Sequence, residues 1–143
     1  MARNAKVNLD QQAMDRLLRS REGQVGRVMA GFAGVATREV RAVADERVQR
    51  RTGRYRDGIT STMREDLTVE VRASAPYSSI LEKGSRPHVI EPRRPGGVLV
   101  FNVGGRKVFA RKVNHPGTPA FNILRDGVRR AGERLGEIAG RAR

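Results

Sequence analysis

The side chains best suited to chemistry are few and scattered. The chain holds two histidines, His88 and His115, and no cysteine. Each lies beside a proline, in R-P-H (86–88) and in H-P-G-T-P (115–119). A metal site built without thiolates would need both rings plus carboxylates. Glu91 is the one carboxylate near His88 in sequence, and none is near His115. The pattern predicts turn or interface roles for both rings and no metal. Ser78 and Ser79 lack the G-x-S-x-G frame that presents a nucleophile. Asp and Glu residues are spread over polar faces, without the pairing that general acid–base work requires. Gly96-Gly97 and Gly104-Gly105 lack the spacing and the strand-to-helix setting of a phosphate loop. Gly53-Arg54-Tyr55-Arg56 leaves two readings open. It is either a phosphate- and base-binding element or a connector whose Tyr55 packs on the sheet. These readings predict no catalytic residue, no cofactor and no enzyme.

The elements that position these residues follow from periodicity. Leu9, Ala13, Met14, Leu17 and Leu18 recur at helical spacing and predict a short helix over about 10–20. Gly23 and Gly26 interrupt it. Val25, Val28, Met29, Phe32, Val35, Ala36, Val40, Val43, Ala44 and Val48 form a broad stripe, about six helical turns long. That helix is predicted to end near Arg51, with Gly53 suited to its C-terminal cap. Residues 67–73 (L-T-V-E-V-R-A) alternate with period two and read as a half-buried strand. Residues 77–83 fit one helical turn closed by Gly84. Residues 85–97 then form a loop with three prolines, and a loop of that length is usually functional or disordered. Residues 98–103 and 106–113 read as two strands joined by Gly104-Gly105, a signal for a tight hairpin. Thr118 and Pro119 suit the cap and first turn of a last helix. In that helix Phe121, Leu124, Val128, Ala131, Leu135 and Ile138 form one narrow stripe. Gly132, Gly136 and Gly140 line up at spacing four, either for close backbone approach or incidentally.

The fold class is α+β: a small, mostly antiparallel sheet packed against a long N-terminal helix and a C-terminal helix, with a long proline-rich loop. Residues 1–8 read as a flexible arm and 9–143 as a single domain. Only six of the 143 residues are aromatic, so the core is thin and leans on Val, Leu, Ile and Ala. No stretch approaches the ~20 apolar residues that span a bilayer. Residues 1–10 lack the apolar run of a secretory signal. These features predict a soluble protein made in the cytoplasm, with no membrane partner. The net charge is +14, and 25 of the 29 basic residues are Arg. Arginine matches carboxylate and phosphate equally well. The charge therefore leaves open solvated faces, an acidic protein ring, or sequence-independent binding of nucleic acid.

Four segments together resemble a known family. They are T-G-R-Y-R-D-G-I (52–59), A-P-Y-S-S-I-L-E-K-G-S-R-P-H-V-I-E-P (75–92), V-L-V-F (98–101) and K-V-F-A-R-K-V-N-H-P-G-T-P-A-F (107–121). In this order they resemble the tail-component family of long-tailed bacteriophages, the gp-ten-like group. Tyr55 stands where that family commonly has Leu, Gly58 where it has Ser, and Ser85 where it has Thr. The final turn is shortened to T-P-A-F.

The resemblance implies a structural subunit of the phage head–tail neck. That subunit is a ring, commonly hexameric, which terminates or completes the tail and joins it to the head connector; a head-side stopper is the alternative. The implied location is the top of the tail in the virion. Neighbouring neck and tail-tube proteins are the implied partners, with double-stranded DNA passing through the lumen. The residues expected at subunit or partner interfaces are Tyr77, Glu82, Arg86, Pro87, His88, Ile90, Pro92, Arg93, Arg94, Phe109, His115 and Pro116. Those expected to meet DNA phosphates are Arg54, Arg56, Arg93, Arg94, Arg106 and Lys107.

Overall fold

The computed structural model describes residues 10–48 and 52–141. The arm expected over 1–8 and the helix end expected near Arg51 lie outside them. The element order is α1 (Gln11–Arg19), α2 (Gln24–Arg47), α3 (Arg54–Asp57), β1 (Ile59–Met63), β2 (Val69–Ala73), α4 (Ser78–Lys83), β3 (His88–Ile90), β4 (Leu99–Val103), β5 (Arg106–Ala110), β6 (Val113–His115), α5 (Ile123–Glu133) and α6 (Leu135–Arg141). The class is α+β, as the periodicities predict. The strands form three separate antiparallel pairs, β1–β2, β3–β6 and β4–β5, rather than one sheet. The chain divides into two compact units, Met1–Ser78 with Ile123–Arg143, and Ser79–Asn122.

The first unit is built around α2. Helix α1 starts where the Asp10 carboxylate accepts the N–H groups of Gln12 (2.9 Å) and Ala13 (3.2 Å), two donors that have no partner within the helix. Helix α2 follows the predicted stripe and closes at Arg47, with Val48 as its cap residue. Ala36, Val40, Val43 and Ala44, all from its second half, are buried. They meet Ile59 of β1 and the Ile123–Ala131 face of α5, also buried. Tyr55 is only 4% exposed and its ring lies 6.5 Å from that of Tyr77. It is therefore the packed connector, and its ring is not open to a base.

Strand β1 was not expected, because I-T-S-T-M shows little apolar alternation. Its inward Ser61 is satisfied by the helix. The Thr37 hydroxyl donates to Ser61 Oγ (2.8 Å), and Ser61 donates to the Ala33 carbonyl (3.0 Å). A hydrogen-bonded polar group can be placed inside where an unpaired one cannot.

The last helix also departs from expectation. Thr118 and Pro119 do not start it; α5 begins at Ile123 and a turn at Arg134 separates it from α6. Ala131 and Ile138 of the expected stripe are buried, and so are Ile123 and Gly127 outside it, while Leu135 is 41% exposed. Helix α5 packs chiefly on α2, and a Cβ on Gly127 would stand 2.5 Å from Val40 Cα. Only glycine permits that backbone approach. Gly132, Gly136 and Gly140 face open space, so their spacing serves no close packing in this chain.

Ion pairs tie α2 to α5 and to the turn that follows α5. Arg130 forks onto both oxygens of Glu46 (2.7 and 2.8 Å), Arg47 reaches Asp126 (2.7 Å) and Arg134 reaches Glu39 (3.0 Å). Hydrogen bonding from Arg47, helped by Arg125, holds the Asp126 carboxyl below its ordinary value, and Arg130 does the same for Glu46.

Candidate functional site

The second unit holds most of the residues expected to act at interfaces. Its base is a clasp between two motifs that lie about 30 residues apart in sequence. The Ser85 N–H donates to the Thr118 carbonyl (2.9 Å), and the Thr118 N–H donates to the Ser85 carbonyl (3.1 Å) and Oγ (3.0 Å). Strands β3 and β6 extend the clasp through His88↔His115, Val89↔Asn114 and Ile90↔Val113. Gly117 has φ +91, and a Cβ there would lie 2.4 Å from the Ser85 carbonyl oxygen. The segment 85–97, expected as an open loop, is therefore held along 85–90 by cross-strand pairing. Beyond it, Pro95-Gly96 forms a turn closed by the Gly97 N–H on the Arg94 carbonyl (2.9 Å).

The two histidines do meet, with ring centres 5.0 Å apart. His88 Nδ1 donates to the Arg86 carbonyl (2.9 Å), and His115 Nδ1 accepts the Gly117 N–H (3.0 Å). Each ring thus braces the turn beside it. No group of three or more metal-ligating side chains occurs among the described residues.

Above the clasp, β4 and β5 form the predicted hairpin, in register from Leu99↔Ala110 to Val103↔Arg106. Gly104 (φ +56) and Gly105 (φ +82) supply the two positive φ angles of its turn, the mirror-image turn that matches strand twist. Residues on alternate positions face opposite sides of such a ribbon. Here both sides carry exposed apolar groups. Val100 and its cross-strand partner Phe109 are 57% and 65% exposed on one side, and Phe101 and Val103 are 37% and 57% exposed on the other. No described residue from 79 to 122 is buried.

The charge of this unit is as open as its apolar surface. It holds eight basic and two acidic residues. Arg86, Arg93, Arg94, Arg106, Lys107, Arg111 and Lys112 are all exposed, and none has a described carboxylate within 4 Å. Arg94 and Arg111 line a shallow groove of about 300 Å³ with Glu91, Pro92 and Gly97.

Of the expected interface residues, Arg86, Pro87, His88, Ile90, Arg93, Arg94, Phe109 and Pro116 are exposed in this unit. Glu82, Pro92 and His115 are half-buried in it. Tyr77 belongs to the first unit, against Tyr55. Of the expected phosphate contacts, Arg93, Arg94, Arg106 and Lys107 are here. Arg54 and Arg56 belong to the first unit, where Arg56 pairs with Asp45 (3.0 Å) and Asp57 (3.4 Å). Val89, Val98, Val100, Phe101 and Val103 are exposed too, though not named among the residues expected at interfaces. Their signal was present: V-L-V-F-N-V (98–103) is apolar at both parities, the pattern of a strand covered on both faces.

Helices backing a β-ribbon in one unit, and exposed apolar and basic side chains in the other, define an α+β protein. A sequence model of the family described as "Bacteriophage HK97-gp10, putative tail-component" matches residues 12–84. The chain belongs to this family, which makes it a bacteriophage tail component. The match starts in α1 and ends at Gly84, so it includes 52–59 and the first part of the 75–92 segment; the hairpin and the H-P-G-T turn lie beyond it. No curated protein and no solved structure matches the chain.

Proposed function

We propose that the chain is a ring subunit at the head end of the tail, terminating or completing it and joining it to the head connector. The observation that carries this reading is the β4–β5 hairpin, whose Val100, Phe101, Val103 and Phe109 stay in water in the single chain. A two-stranded hairpin by itself is marginal. Exposed apolar side chains on both of its faces fit insertion between surfaces of neighbouring proteins, or extension of a neighbour's sheet. The clasp and Pro87, Pro92 and Pro95 limit the conformations of its base, which lowers the ordering cost of docking. The first unit, with its self-contained core, serves as the ring wall.

The unpaired basic side chains of the second unit support a role beside passing DNA. Contacts there are directed at phosphates and independent of sequence. The same side chains support a second reading, a free nucleic-acid-binding protein. Composition of purified virions separates the two. The ring reading requires this chain in stoichiometric, few-copy amount at the tail's head end in particle images. Its absence from virions, with tight salt-dependent duplex binding by the monomer, would establish the second reading instead.

A further inference from the structure

One groove of the first unit is not used by any contact described so far. It has a volume of about 420 Å³ and is lined by Arg27, Gly31, Val35 and Arg38 of α2 and by Ile138 and Arg141 of α6. The α2 residues fall within about 80° of one another at 3.6 residues per turn, so they make one strip of the helix. Val35 and Ile138 give the groove an apolar floor, and Arg27, Arg38 and Arg141 stand exposed around it. None of these three guanidiniums has a described carboxylate within 4 Å, unlike Arg47 and Arg130, which join α2 to α5. The groove fits a ligand with an apolar knob flanked by carboxylates.

The chain itself carries such a group on the turn between β1 and β2, E-D-L (65–67). Glu65 is exposed and has no ion-pair partner among the described residues. Asp66 Oδ1 accepts the Thr68 N–H (3.0 Å). The turn is closed by the Arg64 N–H on the Thr68 carbonyl (2.9 Å) and the Leu67 N–H on the Arg64 carbonyl (3.1 Å). Leu67 sits at φ +64. That is the position of a three-residue hairpin loop where glycine is normally found, and a non-glycine residue there costs about 1–2 kcal/mol. Backbone strain held by a fully bonded turn is characteristic of functional sites. A leucine at that cost, next to two carboxylates and half in water, has the shape and charge that the groove lacks.

The two surfaces are on different sides of α2. The Thr37 side, which meets β1, lies roughly 115° around the helix from the groove strip. Groove-on-groove docking would bring six arginines together and is repulsive. We infer that the Glu65-Asp66-Leu67 turn of one copy seats in the Arg27–Arg38–Arg141 groove of the next copy. Such a contact is head-to-tail, and head-to-tail contacts generate closed rings when the rotation closes. This contact rests on the ring reading above and names the faces that would make the ring.

The chain has no cysteine, so one introduced pair reports the contact cleanly. Thr68→Cys marks the turn. Gly34→Cys marks the groove edge, where an added side chain meets nothing within 4 Å. A short bis-maleimide added to concentrated double-cysteine protein should give a ladder of dimers, trimers and higher species, whereas either cysteine alone stops at dimer. Glu65→Arg or Arg38→Glu should each cut the ladder at least tenfold, and the two reversals in one chain should restore it. Leu67→Gly should weaken the ladder while the fold is kept, as followed by circular dichroism. Absence of a ladder, indifference to either reversal, or failure of the combined reversal overturns the contact. Loss of duplex DNA binding in Arg38→Glu without any ladder would assign the groove to nucleic acid instead. Finding the protein at the tail end of virions with no ladder would remove this contact alone. A ladder with no protein in virions would remove the neck reading and leave the self-contact standing.

Discussion

In the first unit Ile59, Ile123, Val40 and Val43 are fully out of water; in the second, Val100, Val103 and Phe109 keep more than half of their surface in it. The same contrast holds for charge. Arg47, Arg56 and Arg130 of the first unit each meet a carboxylate at 3.0 Å or less. The second unit sets eight basic residues against two acidic ones. One unit has a buried core of its own and pairs the charges that join its helices. The other is held by backbone pairing and by glycine and proline turns, and offers its side chains outward. Anything that binds the folded form of such an open unit would stabilise it. This division suits a tail component, whose body must be rigid and whose contacts form during assembly.

The sharpest way to break the comparison is to damage each unit equally. Ile123→Ala should cost about 3 kcal/mol or more, since it empties a fully buried site, and Gly127→Ala should cost about 1–3 kcal/mol by forcing α2 and α5 apart. Urea unfolding measures both as a lower midpoint at unchanged slope. Phe109→Ser, by contrast, should move that midpoint by no more than about 0.5 kcal/mol, as for an exposed site. The same variant should lose incorporation into particles, scored by complementation of a phage lacking the gene. A large stability loss from Phe109→Ser would show that the hairpin is part of the core, and the contrast would collapse.

A smaller effect tests the strained turn. Leu67→Gly should raise stability by up to about 1 kcal/mol, because glycine adopts φ +64 without the Cβ clash, less its greater unfolded-state entropy. A lower melting temperature for this variant would mean that Leu67 is held by packing.

The smallest effect concerns acid. The carboxyls of Asp126 and Glu46 are depressed in the folded chain. Their contribution is therefore present above the unfolded values, 3.8 and 4.5, and fades as the pH falls through the lower folded ones. Melting temperature should drop through that window. In Asp126→Asn with Glu46→Gln the drop should be shallower, with less stability at neutral pH. An unchanged pH profile would show that these pairs are too solvated to matter.

Much of this was legible beforehand. The stripe of α2, the helical turn closed by Gly84 and the Gly104-Gly105 hairpin all depend on local propensity, which a few neighbouring residues carry. The exposed positions of His88, Ile90 and Phe109 were expected for the same reason, through turns and short strands that frame them. Strand β1 was missed because Ser61 looks outward by its polarity and is placed inward only by Thr37 and Ala33 of a distant helix. The clasp was missed because its strands are three residues long and pair across some 25 residues. Nothing local distinguishes them from loop.

The sequence by itself determined the helices, the hairpin turn, the lack of thiol chemistry and the excess of arginine. Tertiary structure alone decided which arginines are neutralised, which stripe of the last helix is buried, and which glycine spacing matters. Gly127 counts because Val40 stands 2.5 Å from where its Cβ would be, while Gly132, Gly136 and Gly140 face open space. The physical reason is that periodicity records how residues are disposed around one element. Burial and ion pairing depend on what a second element brings against it.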